Sequence, residues 1–398
     1  MLSTGTNYVL PLLIIPYCIA GYGLEGYGVI SLALALTSII ALITQLNLEN
    51  IFASLSIEKC WSKVIEIVTI KLTFFIVSSV VIYLLLLLFI NESSNIFLLG
   101  GWPLIFCVLN VNYFFIAKQN FKIIFLLNII SKLCFTILVF IFIYYRLPTY
   151  LVVMGMNGWY ITSSLIGFII LRREIINEKQ HEYVNDISVN KVLLTFKQIL
   201  PGFSSSLASL FLTMLVQPFM AIVTNNNYNT IAIYSICDKI IRAATGFLDS
   251  INNVLYSKIS DLNSIVKKNK IVSGVLLIYV FIEMIGGVIT VNIYPYMTNY
   301  ISKLKQFPQI EGLLFLIIPI IVVITVGNIL SSLVLFTSGL FKQVTYAIIL
   351  SSITFMLFVF IPYSDKGAEY FLFALLCSEG ISTCLKVWLT WKKTKYFR

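Results

Sequence analysis

Residues 229–260 read NTIAIYSICDKIIRAATGFLDSINNVLYSKIS. Most of the stretch is apolar enough for a membrane interior, yet it carries Asp238, Lys239, Arg242 and Asp249. Asp238, Arg242, Thr245, Asp249, Asn252 and Tyr256 follow one another at steps of three and four residues, which lines them up on one face of one helix. A charged side chain at the centre of a lipid-embedded helix costs roughly 2.5–3.5 kcal/mol on insertion scales. A whole stripe of polar groups therefore has to face protein or a water-filled cavity.

The rest of the chain shows that the surroundings are membrane. Of its 398 residues 59% are hydrophobic and 11% charged, with a mean hydropathy of +0.96; soluble domains carry about 25% charged residues. The composition predicts an all-α polytopic membrane protein with no sizeable soluble domain. Windows of about 19 residues give twelve spans: 4–21, 28–53, 68–90, 96–117, 123–145 and 149–171, then 199–223, 229–257, 271–293, 311–336, 343–362 and 368–391. With both termini placed in the cytoplasm, eighteen of the 27 Lys and Arg fall on the cytoplasmic side. Only Arg146, Lys303, Lys305 and Lys366 fall on the other, the asymmetry expected of inward-facing loops. The net charge of +10 is thus explained by topology and contact with an anionic leaflet, without nucleic acid.

The densest run of charge, RREIINEKQHEYVNDISVNK, lies between the sixth and seventh spans. It divides the chain into residues 1–171, a cytoplasmic linker 172–198, and residues 199–398 with a short basic tail. Each half opens with a proline-containing helix: Pro11 and Pro16 in the first, Pro201 and Pro218 in the second. Six spans per half give both the same orientation, so the repeat is a parallel pseudo-twofold one. These prolines are the expected kinks. The first apolar run has neither a basic flank nor a cleavage-type site and reads as a transmembrane helix rather than a signal peptide.

Enzyme chemistry has little material. No P-loop, HExxH or GxSxG signature occurs, and the lone histidine, His181, sits in the polar linker. The seven cysteines are scattered without a CxxC pair. Neither a metal site nor a cofactor is expected. The stripe has two readings. Arg242, helped by Lys239, meets an anionic group with the bidentate geometry guanidinium offers phosphate, or Asp238 and Arg242 form an internal ion pair in a packed bundle. Lys132, flanked one turn away by Asn128 and Thr136, is a second isolated cation and is open to the same two readings. Gln45 and Glu49 share a face near the end of span two. Glu283 and Glu379 are deep acids able to exchange a proton, bind Na⁺ or pair with lysine. Ser206, Ser209, Thr213 and Gln217 at helical spacing suit either helix packing or a cavity wall. Lys71 and Lys386 lie near span ends and are expected to snorkel toward water.

The segments NYVLPLLIIPYCIAGYGLEGYGVISLALA and IAIYSICDKIIRAATGFLDSINNVLYSKIS together resemble the first, second and eighth helices of Wzx-type polysaccharide-unit flippases, a branch of the multidrug/oligosaccharidyl-lipid/polysaccharide (MOP) exporter superfamily. Pro11, Pro16, Gly26, Tyr27 and Gly28 carry the likeness in the first segment; Tyr234, Ser235, Lys239, Ile240 and Arg242 carry it in the second. The chain starts closer to its first helix than such relatives do, and Ser257 stands where they commonly have proline. The resemblance implies two six-helix lobes around a cationic cavity in a bacterial inner membrane. It implies transport of undecaprenyl-pyrophosphate-linked oligosaccharide (O-antigen of lipopolysaccharide, or capsule) to the periplasmic leaflet by alternating access, with H⁺ or Na⁺ coupling. Arg242, Lys239 and Lys132 would attract pyrophosphate or acidic sugars, and Asp238 and Asp249 would orient these cations or bind sugar hydroxyls. Polysaccharide polymerase and assembly proteins would be partners. A drug/cation antiporter of the same superfamily and a non-transporting structural membrane protein are the alternatives.

Overall fold

The computed structural model describes residues 2–46, 48, 61–89, 94–118, 120–177, 189–260, 265–300, 308–361 and 367–393. Every regular element among them is helical. In chain order they are α1 (Leu2–Gln45), α2 (Trp61–Phe89), α3 (Ser94–Gly101), a 3₁₀ stretch (Trp102–Leu109), α4 (Asn112–Ala117), α5 (Phe121–Tyr144) and α6 (Thr149–Asn177). There follow α7 (Val189–Thr213), α8 (Val216–Val223), α9 (Tyr228–Ser260), α10 (Ile265–Tyr300), α11 (Pro308–Ile329), a π-helical segment (Leu330–Phe336), α12 (Phe341–Phe360) and α13 (Ala368–Lys393). Each of the twelve expected spans falls on one or more of these elements, and the protein is a multi-pass membrane protein.

Nine stretches among the described residues are long and apolar enough to cross a bilayer. The difference from twelve has local causes. The first stretch, Leu10–Gln45, runs to 36 residues and holds the first two spans, divided at Gly23, where φ is 76° and ψ is 176°. That backbone region is essentially open only to glycine. The turn therefore lies at Gly23, past the expected proline kinks, and Pro11 and Pro16 sit inside helix. Span seven is broken between Thr213 and Val216, so Pro218 becomes the third residue of a new short helix, where its missing N–H leaves no intrahelical bond unmade. Span eight is excluded by the charges of its stripe. The ends of the expected linker are helical: α6 continues to Asn177 and α7 begins at Val189. His181 lies outside the described residues.

Close packing divides the chain into two compact units, one of Met1–Gly28 with Val223–Arg398, the other of Val29–Ile222. These boundaries differ from the sequence halves by one helix each. The opening helix joins the unit built mainly from the second half, and residues 199–222 join the first.

In the Val29–Ile222 unit a cluster from α2, α4, α5, α6 and α7 includes Ile67, Phe115, Leu171 and Ile199. Phe74 of α2 packs on Phe196 and Phe203 of α7 at centroid distances of 5.6 and 5.1 Å. Several buried polar groups pair across helices. Thr195 donates to Glu66 at 2.7 Å, Ser31 to Gln217 at 2.8 Å, and Asn157 to Thr37 and the Gly100 carbonyl. Lys71 corrects the snorkelling expectation. It is 1% exposed, donates to the Asn110 carbonyl at 2.6 Å and lies 5.0 Å from the Tyr113 ring centroid. The 3₁₀ stretch that interrupts span four ends at Asn110, whose extended backbone (φ −68°, ψ 122°) leaves that carbonyl free to accept from a lysine.

In the other unit a cluster of Leu248, Ile259, Val272, Tyr279, Ile329 and Leu333 joins α9, α10, α11 and the π-helical segment. The start of α9 lies so closely against α1 just beyond the Gly23 turn that a side chain at Gly28 would collide with the Tyr228 carbonyl. Gly327 of α11 is similarly crowded: a Cβ there would lie 2.6 Å from Thr383 Oγ1 and 3.4 Å from Lys386 Nζ on α13.

Candidate functional site

The stripe of α9 is continuous in the structure but divides into three chemical parts. At its N-terminal end Arg242 Nε donates to Asp238 Oδ2 at 2.8 Å, the pair one turn apart. Asp238 is buried, whereas the Arg242 side chain is 34% exposed. The ion-pair reading is therefore realised, and it leaves the guanidinium accessible. Lys239 does not join this pair. Its Nζ donates to Tyr27 Oη at 2.8 Å and lies 5.2 Å from that ring's centroid, and Tyr27 also meets Ser235 at 3.3 Å. Tyr27 is 2% exposed and sits just beyond the Gly23 turn, which directs it at α9.

The middle of the stripe is structural. Thr245 is buried and returns its hydroxyl to the Ile241 carbonyl at 2.9 Å, a common use of threonine inside helices. The C-terminal part faces α11. Asp249 accepts two hydrogen bonds from Asn328 Nδ2, at 3.1 and 3.0 Å, and one from Asn252 at 3.5 Å. Asn252 is 2% exposed, and Tyr256 packs against the apolar cluster that α9 shares with α10 and α11. A stripe of six like-placed polar residues thus divides into an ion pair, a backbone-bonded threonine and an inter-helix anchor.

Lys386 belongs beside this anchor and corrects the second snorkelling expectation. It is 5% exposed and interacts electrostatically with Glu379, two turns earlier on α13, and with Asp249 on α9. Glu379 in turn interacts with Arg242. Asp238, Arg242, Asp249, Glu379 and Lys386, from two helices, therefore lie within electrostatic reach of one another, with the ion-pair contact at Asp238–Arg242. Sequence spacing held a signal for this cluster. Glu379, Thr383 and Lys386 recur at steps of four and three, a second polar stripe of the kind read on α9, and Thr383 donates to the Val323 carbonyl of α11 at 3.0 Å. Asn328, Thr325 and Tyr27 gave no such signal, because single neutral polar residues in apolar helices are common.

The remaining candidates lie elsewhere. Lys132 belongs to the Val29–Ile222 unit, with its Nζ 4.4 Å from the Trp159 ring centroid, a cation–π distance. Gln45 ends α1 in that same unit, and Glu49 lies outside the described residues. Glu283 of α10 accepts from Thr325 of α11. No group of three or more His, Cys, Asp or Glu suited to a metal ion occurs among the described residues.

Residues 1–263 match the family described as polysaccharide biosynthesis protein. The chain belongs to that family. This agrees with the resemblance carried by the first, second and eighth helices, all of which lie within the matched residues. No curated protein matches the chain. Among solved structures it is similar to the lipid II flippase MurJ in an inward closed conformation, with a TM-score of 0.67 and 15% identity over 97% of this chain and 86% of that one. A eukaryotic MATE transporter, AtDTX14, aligns over 98% of this chain and 93% of its own at 15% identity with a TM-score of 0.49. The MurJ likeness establishes a shared fold.

Proposed function

We propose that the protein is a flippase that moves an undecaprenyl-pyrophosphate-linked oligosaccharide from the cytoplasmic to the periplasmic leaflet of a bacterial inner membrane. It works by alternating access of two six-helix halves, with both termini in the cytoplasm. The observation that carries this reading is Arg242: a guanidinium on a membrane helix, held from one side by buried Asp238 and still a third exposed. Membership of a polysaccharide biosynthesis family and the fold shared with a lipid II flippase support a lipid-borne glycan as cargo.

Arginine suits a phosphate-bearing substrate because its fork presents parallel N–H donors. Asp238 occupies Nε and fixes the plane of the guanidinium, so the group meets the substrate already oriented. Lys239 on Tyr27 adds a second cation on the same helix. Lys132 and Gln45 are further candidate substrate contacts, and Asp249 and Asn252 bind sugar hydroxyls when the α9–α11 contact opens. Glu379 is our candidate for H⁺ or Na⁺ coupling. Ionised, it offsets Arg242 and Lys386; protonated, it leaves both cations to an anion. Substrate affinity and protonation are then linked through one carboxyl.

The test is genetic. Deletion of the gene should abolish surface polysaccharide and leave lipid-linked units on the cytoplasmic leaflet, and the intact gene should restore both. Normal surface polysaccharide in a clean deletion overturns the proposal.

A further inference from the structure

Behind the stripe, on the opposite face of α9, Ile240, Ala244, Phe247 and Ile251 recur at steps of four, three and four. They form one wall of a cleft of about 460 Å³ that α10 and α11 complete. The volume lies within the range of small-molecule sites, about 300–1,000 Å³. Its lining is apolar except for Tyr279 and Glu283, one turn apart on α10. Each presents a buried oxygen with no hydrogen-bond partner: Tyr279 Oη, on a side chain 6% exposed, and Glu283 Oε2. The other Glu283 oxygen is taken by Thr325. Phe247, Ile282 and Gly286 are exposed and edge the opening.

Two facts identify what fits. Glu283 lies about 18 Å along α10 from the start of span nine at residue 271 and about 15 Å from its end at residue 293, at 1.5 Å per residue, near the middle of a hydrocarbon core about 30 Å thick. The medium at the mouth is therefore lipid chain rather than water, and an open apolar cleft is filled by what dissolves in the bilayer. Glu283 is also the one carboxyl-bearing residue among those lining the cleft. A carboxylate with a spare oxygen beside a phenol, walled by apolar groups, complements a protonated amine on a hydrocarbon body. We propose that the cleft between α9, α10 and α11 is a binding site for a lipophilic amine drawn from the bilayer, its nitrogen held between Glu283 Oε2 and Tyr279 Oη. The site is separate from the stripe and does not depend on the flippase reading. It nevertheless adjoins the stripe's anchor, since Thr325 and Asn328 lie one turn apart on α11 and Asn328 holds Asp249.

The experiment uses the full-length protein in lipid nanodiscs and radiolabelled n-decylamine, with partition into empty nanodiscs subtracted. Saturable binding to one site is expected. n-Decanol, which has the same chain without the charge, should compete at least tenfold more weakly. Glu283→Gln should weaken decylamine binding about tenfold or more and remove its advantage over decanol. Gly286→Leu places a side chain where a Cβ meets nothing within 4 Å, so it should fill the opening, abolish saturable binding and leave the melting temperature unchanged. Decanol competing as well as decylamine would assign the cleft to a lipid hydrocarbon chain and overturn the proposal, as would undiminished binding to Glu283→Gln. If Glu283→Gln fails to fold, the decanol competition and Gly286→Leu still decide.

Discussion

Replacing Lys386 with methionine separates a buried charge cluster from a snorkelling lysine by its magnitude. The two side chains have similar length and helix propensity, so the change removes the charge and little else. The methylene stem of Lys386 is already buried at 5% exposure, and methionine therefore gains little new apolar burial. What remains is a cluster in which Glu379 and Asp249 have lost their shared cation. Removing one partner from a buried ion pair typically costs about 3–5 kcal/mol. Lys386 acts on both acids across space rather than through an ion-pair contact, and Asp249 retains its Asn328 hydrogen bonds, which places the expected loss below that range, about 2 kcal/mol. A lysine reaching the interface would give less than about 0.5 kcal/mol, as other exposed substitutions do. Equilibrium unfolding of the purified protein in mixed micelles, followed through the fluorescence of its five tryptophans, reads the difference as a shifted midpoint at constant slope. Adding Glu379→Gln should recover part of the loss, with a coupling energy of about 1–3 kcal/mol. A single-variant loss below about 0.5 kcal/mol, or strictly additive losses, would refute the cluster.

Further tests address the other links. Arg242→Ala should fail to restore surface polysaccharide at equal membrane abundance while Arg242→Lys restores it in part; full restoration by the alanine variant would reduce Arg242 to an ion-pair partner of Asp238. Gly28→Ala forces a methyl onto the Tyr228 carbonyl and should destabilise by about 1–3 kcal/mol, read as a lowered unfolding midpoint, whereas Gly312→Ala, which meets open space, should be neutral. Gly23→Ala should cost about 1–3 kcal/mol through its backbone alone, because φ of 76° with ψ of 176° suits glycine. Lys71→Met should resemble Lys386→Met rather than a surface change, since its ammonium is 1% exposed and serves the Asn110 carbonyl.

The comparison of Lys386 with Arg242 shows where sequence reading stops. Both are cations in apolar helices, and spacing alone placed Arg242 next to Asp238, because i and i+4 on a helix are neighbours whatever the fold. Spacing also offered Glu379 and Lys386 as one face of α13, but nearness to the helix end favoured the water-seeking reading. The partner that decides the matter, Asp249, comes from another helix. Tyr27 and Asn328 were illegible for the same reason. Each is a lone polar residue whose role exists only because Lys239 or Asp249 is brought to it from more than 75 residues away.

The amino-acid sequence by itself determined that the chain is a bundle of apolar helices, roughly where its spans lie, and which residues share a face. Those properties follow from bilayer thickness and helical repeat, which act along the chain. Tertiary structure alone decided that the stripe of α9 is three sites rather than one, that Lys71 and Lys386 are buried, and that an acid-bearing cleft lies behind the stripe. Each of these depends on which helices meet across space. Side-chain packing and charge pairing set that choice, and neither has a signature in the spacing of a single helix.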